Sequence, residues 1–117
     1  MTHANSLHFE RRAASLSRRQ AAVGPFVAGT LVCVRHRCGN ARCRCARGEG
    51  HVSWRLTYKG KRQKTVTVYV PVDRVEEVRQ WVRNYRAFKK LAAEISAAQL
   101  ARVRLYVREK RLRSRSV

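Results

Sequence analysis

Acidic residues are scarce in this chain. Seven Asp and Glu stand against 27 Lys and Arg in 117 residues, a formal net charge of +20. Phosphoryl transfer on metal ions needs a cluster of carboxylates. Glu10, Glu49, Asp73, Glu76, Glu77, Glu94 and Glu109 are scattered instead, and Asp73, Glu76 and Glu77 read as helix-start residues. There is also no phosphate loop, no Ser nucleophile elbow and no zincin motif, so no enzymatic activity is expected. Long hydrophobic runs are missing too. None approaches the ~20 residues that span a bilayer, so no membrane partner is expected. Met1 to Gln20 lacks the apolar centre of a secretory signal. The expected location is therefore cytoplasmic, where thiols stay reduced and grouped Cys point to metal more often than to disulfides.

The abundant residue is Arg, with 21 copies against six Lys. Its planar fork of donors pairs bidentately with phosphate and stacks on bases. A GC-rich genome would also favour Arg over Lys, but it would not remove the acids. The expected partner is a polyanion, namely DNA or RNA.

The chain reads as α+β. Residues 1–28 form a basic N-terminal helix or arm, with loosely helical spacing over 5–23 and a stop at Gly24-Pro25. Residues 29–72 carry three strands. The first is Thr30 to Arg35, rich in β-branched residues. Val52 to Tyr58 alternates, with Trp54, Leu56 and Tyr58 on one face, and Thr65 to Val70 alternates again before Pro71. Lys59-Gly60-Lys61-Arg62 makes a basic turn, so the three strands suggest an antiparallel sheet. Residues 73–117 form one long basic helix. Asp73 and Glu76 are spaced as a capping box, and no Gly or Pro follows. The rhythm of Val75, Val78, Val82, Tyr85, Phe88, Ala92 and Ile95 continues into Leu100, Val103 and Val107, with a slip near Ser96-Ala97-Ala98 that leaves open whether the helix is continuous or broken near Ser96. The helix is expected to end near 110, with a frayed tail from Arg108. One domain overall is expected. A helix this long overshoots a small sheet, so part of it must pack on the N-terminal helix, on a second copy or on a partner.

The loop between the first two strands holds Cys38, Cys43, Cys45 and His51, spaced C-x₄-C-x-C-x₅-H. Three thiols and an imidazole so close can close around one tetrahedral Zn²⁺. Arg37, Arg42, Arg44 and Arg47 lower the cost of thiolate charge. Cys33, in the first strand, could replace His51 as a ligand or serve as a small core residue. Reduced thiols in a tight turn, thiol redox chemistry at Cys43 and Cys45, and an iron–sulfur cluster are the other readings of this loop. With no open coordination position and no Glu placed as a base, the expected zinc is structural.

At these residues the chain resembles a family of short bacterial and archaeal proteins, classed as a domain of unknown function and often loosely described as transposase-related. The resemblance rests on Gly29-Thr30-Leu31-Val32, Arg37-Cys38-Gly39, Cys43, Cys45, Gly48, His51, Tyr69-Val70-Pro71 and Trp81-Val82-Arg83-Asn84-Tyr85, and covers roughly 29–95. It differs where Val52-Ser53-Trp54 replaces the usual Gly-Pro-aromatic, which leaves the start of the second strand open. Cys33 and His36 fall outside the shared pattern. The resemblance implies the strand–loop–strand–helix outline and a link to mobile elements, and no established activity.

Candidate nucleic-acid contacts are Arg35, Arg37, Arg42, Arg44 and Arg47 around the loop, and Arg55, Lys59, Lys61, Arg62 and Lys64 around the hairpin turn. A helical stripe adds Arg79, Arg83, Arg86, Lys89 and Lys90. Trp54, Tyr58, Tyr69, Trp81, Tyr85 and Phe88 could stack on bases, but the helical spacing of Trp81, Tyr85 and Phe88 and the alternation of Trp54 and Tyr58 favour a core between sheet and helix. The expected function is that of a non-enzymatic, zinc-stapled accessory or regulatory protein that binds nucleic acid and is linked to a mobile element. The alternative is an assembly subunit whose long helix dimerises or docks on a larger nucleoprotein complex.

Overall fold

A computed structural model describes residues 2–36, 39, 40, 42 and 50–116. The order is helix α1 (Thr2–Ala21), strands β1 (Thr30–His36), β2 (His51–Lys59) and β3 (Thr65–Val70), and helix α2 (Val75–Ser116). The three strands form one antiparallel sheet in the order β1-β2-β3. The chain divides into two compact units, Pro25–Tyr85 and Met1–Gly24 with Arg86–Val117.

In the first unit, alternation along the strands produces two faces. Trp54 lies opposite Cys33 and Val70, Leu56 opposite Leu31 and Val68, and Tyr58 opposite Val66. This face packs on the start of α2. Val70, Val75 and Val78 are buried together, and Leu31, Trp54, Leu56 and Trp81 pack against them. The β2–β3 connection is a 3-10 turn, Lys61–Gln63, with Gly60 N–H donating to the Lys64 carbonyl at 2.7 Å. Arg62 and Gln63 both take left-handed φ, 58° and 62°, which β-branched residues would resist. The segment before β1 is held to α2 by two bonds. Val27 N–H donates to the Trp81 carbonyl (3.2 Å), and Asn84 Nδ2 donates to the Pro25 carbonyl (2.7 Å).

The entry to α2 differs from the capping box read in the sequence. Asp73 lies inside a 3-10 turn, Val72–Arg74, that starts from Pro71. Glu76 instead accepts from Arg79 (3.3 Å), and Glu77 accepts from Arg74 (3.0 Å). The turn's own backbone bonds occupy donors that a side-chain cap would serve: Arg74 N–H donates to the Pro71 carbonyl (2.9 Å) and Val75 N–H to the Val72 carbonyl.

In the second unit α1 runs antiparallel to the distal part of α2. Gln20 Nε2 donates to the Phe88 carbonyl (3.2 Å), Glu10 faces Arg102 (3.9 Å), and the hydroxyls of Ser6 and Tyr106 lie 3.5 Å apart. The buried apolar residues are Ala13 and Leu16 on α1, and Leu91, Ala98 and Leu105 on α2. On α2 these three recur every seven residues, the spacing that keeps one seam against a partner helix. The helix is unbroken at Ser96 and continues to Ser116, beyond the expected end near 110. No Gly or Pro interrupts it, and Arg113 and Arg115 in the last turn favour the negative end of its dipole. The rhythm followed through Ala92, Leu100, Val103 and Val107 is not the buried one, since all four are exposed.

Candidate nucleic-acid interface and metal loop

Five basic residues of the first unit run from the middle of β2 through the hairpin turn to the start of β3. Arg55 on β2, Lys59 at its end, Lys61 and Arg62 in the turn, and Lys64 before β3 are all exposed. No Asp or Glu occurs between residues 50 and 72. The acids that pair do so on the helices. Glu76 and Glu77 take Arg79 and Arg74, Glu10 takes Arg102, and Glu109 takes Arg113. Among the described residues the hairpin cations therefore have no carboxylate partner. Lys59 Nζ donates to Thr65 Oγ1 (2.8 Å), which fixes its ammonium beside the turn.

The other expected contacts divide. Arg79 is half-buried and lies over the Trp54 ring at 5.2 Å while it holds Glu76. This cation–π contact ties the helix to the sheet. Arg83 is exposed and donates to Gln80 (3.0 Å). Arg35 is exposed on β1, opposite Val52. Arg86, Lys89 and Lys90 are exposed and belong to the second unit. Arg42 lies in a turn in which its N–H donates to Asn40 Oδ1 (3.0 Å). Arg37, Arg44 and Arg47 lie outside the described residues.

Of the metal ligands, Cys38, Cys43 and Cys45 also lie outside the described residues. His51 is described, and it is the first residue of β2 rather than the end of the loop. Its register partner is His36, the last residue of β1, and their rings are 6.3 Å apart. The two imidazoles thus flank the segment 37–50 where it leaves and re-enters the sheet. His36 has no signal in the sequence spacing. Its candidacy comes only from the pairing of strands 15 residues apart in the chain. Cys33 is exposed and lies on the opposite sheet face, the face of Trp54. Among the described residues no three His, Cys, Asp or Glu side chains gather around a common point.

The aromatic residues separate as well. Trp54 and Trp81 pack against the sheet–helix core, and Tyr85 lies 5.5 Å from Phe26 in a tilted pair. Tyr69 does not join the core and is 65% exposed.

These features define a small α+β protein with a basic β-hairpin and a Cys/His loop. The chain belongs to the family of the domain of unknown function DUF6788, whose model matches residues 8–80. No curated protein and no solved structure matches it. No helix of the described chain is long and apolar enough to cross a membrane.

Proposed function

We propose that this chain is a non-enzymatic nucleic-acid-binding protein whose Cys/His loop is stapled by zinc, and that it acts as an accessory or regulatory factor of a mobile element. The observation that supports it is the hairpin. Five exposed cations, Arg55, Lys59, Lys61, Arg62 and Lys64, occupy a segment without a single acid. A solvated face kept only for solubility mixes both signs, whereas phosphate binding needs one sign. The loop fits a structural metal by its donor set: three thiols in eight residues, with His51 and His36 at its base. Bound zinc would fix the backbone of the loop and the Arg residues it carries. The link to mobile elements rests on the resemblance alone.

The test is the salt dependence of binding, with the full chain and a labelled oligonucleotide. Each phosphate neutralised contributes a slope of about −0.9 for duplex or −0.7 for single strands in log K against log salt. Replacing Lys59, Lys61, Arg62 and Lys64 with Gln should flatten the slope by about 3 without lowering the melting temperature. An unchanged slope removes the hairpin from the interface.

One observation favours the alternative of an assembly subunit. Leu100, Val103, Val107 and Leu112 are 44–55% exposed along distal α2, beside Arg104, Arg108 and Arg111. Self-association through this stripe would bring like charges together, so a dimer formed there should strengthen with salt. Sedimentation with nuclease-treated protein at low and high salt separates this reading from the first.

A further inference from the structure

The sheet has a second face, turned away from Trp54 and the core. Register places Val32, Arg55 and Tyr69 side by side across it, and Thr30, Thr57 and Thr67 in the next row. Tyr69 is 65% exposed and Val32 37%, and Arg55, Thr30 and Thr67 are exposed as well. Residues directly opposite on adjacent strands hold their Cβ atoms about 5 Å apart, so the Tyr69 ring and the Arg55 guanidinium can meet one ligand together. Lys59 lies four residues along β2 from Arg55 on the same face, about 13 Å away. There the face runs into a cleft of about 440 Å³ lined by Gly29, Thr30, Thr57, Lys59, Thr65 and Tyr85. Gly29 permits a close approach of the chain to β2 at this corner, since a Cβ there would stand 3.0 Å from both Leu56 Cδ1 and the Thr57 carbonyl oxygen.

We propose that this face binds single-stranded nucleic acid, with a base stacked on Tyr69, the flanking phosphate held by Arg55 and the strand continuing toward Lys59. This rests on the nucleic-acid reading above and narrows it to the unpaired form. Three features support the narrowing. A pleated face that presents an aromatic ring beside cations is the chemistry of single-strand platforms, because every base has a π-face and phosphates follow at intervals. Bases within a duplex are already stacked and present only their edges. The three strands contain no Asp or Glu, so nothing on the face repels a phosphate chain. The plain alternative is that Tyr69 is a strand former paired with Arg55 for the stability of the sheet. Tyr69→Thr puts a β-branched strand former at the position and removes the aromatic ring.

The experiment measures fluorescence anisotropy of the full chain with an oligodeoxythymidylate and with a mixed-sequence duplex of equal length, at matched salt. Wild type should prefer the single strand. Tyr69→Thr should weaken single-strand binding about ten- to a hundredfold, and Tyr69→Phe should keep it. Duplex binding should be the same in all three. Arg55→Gln should lower the single-strand salt slope by about 0.7. Circular dichroism melts of each variant confirm that it is folded, and Tyr69→Phe is the control if Tyr69→Thr is not. Equal single-strand binding by wild type and Tyr69→Thr, or equal losses on both probes, overturns the proposal while the broader reading stands. Wild type that binds neither probe overturns both.

Discussion

His36 and His51 face each other across β1 and β2, with their rings 6.3 Å apart, at the two ends of the segment whose sequence carries Cys38, Cys43 and Cys45. Sequence spacing alone selects His51. Strand pairing makes His36 an equal neighbour. If zinc is bound, protein purified with zinc should carry one equivalent by native mass spectrometry. Cys43→Ser should lose that equivalent and melt at lower temperature, and a chelator should reproduce the drop in wild type. Comparing His36→Ala with His51→Ala assigns the fourth ligand. A Cys43→Ser protein with normal melting and no metal in wild type would end the zinc reading.

The α1–α2 seam can be tested by its two candidate stripes. Leu105 is 8% exposed and Leu100 is 52% exposed. Leu105→Ala should destabilise by about 2–4 kcal/mol, as truncation in a packed seam does. Leu100→Ala should change stability by less than about 0.5 kcal/mol. Urea titrations followed by circular dichroism give both values, and the opposite order would restore the rhythm read along Leu100, Val103 and Val107.

The hairpin depends on Gly60. A Cβ there would lie 2.9 Å from Val66 Cγ2, closer than side-chain carbons approach. Gly60→Ala should therefore cost about 1–3 kcal/mol through overpacking at the start of the turn. Gly39 has a positive φ of 84° and, among the described residues, no atom within 4 Å of such a Cβ, so Gly39→Ala carries backbone strain of about 1 kcal/mol and no clash with them. Thermal melts of the two variants should rank them in that order.

The Tyr106 phenol is held below its usual value. The first cause is its hydrogen bond with the Ser6 hydroxyl, followed by the bond from Arg102 Nη2 at 3.1 Å. Both favour the phenolate. The sign follows from linkage: the contribution to stability is fully present above the unfolded phenol value near 10, fades as pH falls through the lowered folded value, and is absent at neutral pH. Ultraviolet difference titration should show one phenol that ionises early. Ser6→Ala should move that midpoint upward, and an unmoved midpoint would place the cause elsewhere.

Much of the layout was legible in the sequence, for local reasons. Strict alternation in Val52 to Tyr58 and Thr65 to Val70 identified two strands almost to the residue, because one face of each meets a core. The second strand begins at His51, one residue earlier than expected, because its pairing with His36 extends the ladder. Asp73 looked like a cap because its type and spacing fit one. Pro71 displaced it by starting a 3-10 turn first. Alternation along Thr65 to Val70 already separates Tyr69 from Val66, Val68 and Val70, and the packing of Val70 against α2 decides that the Tyr69 face is the one turned away from the core.

By itself the chain's composition determined the charge, the absence of acids from the hairpin and the uninterrupted length of α2, since no Gly or Pro occurs to stop it. Tertiary structure alone decided which stripe of that helix is buried. Apolar residues lie on more than one side of distal α2, so local periodicity permits either Leu100-Val103-Val107 or Leu91-Ala98-Leu105. The second is the buried set because α1, presenting Ala13 and Leu16, lies along it, and burial against a partner outweighs any preference internal to the helix.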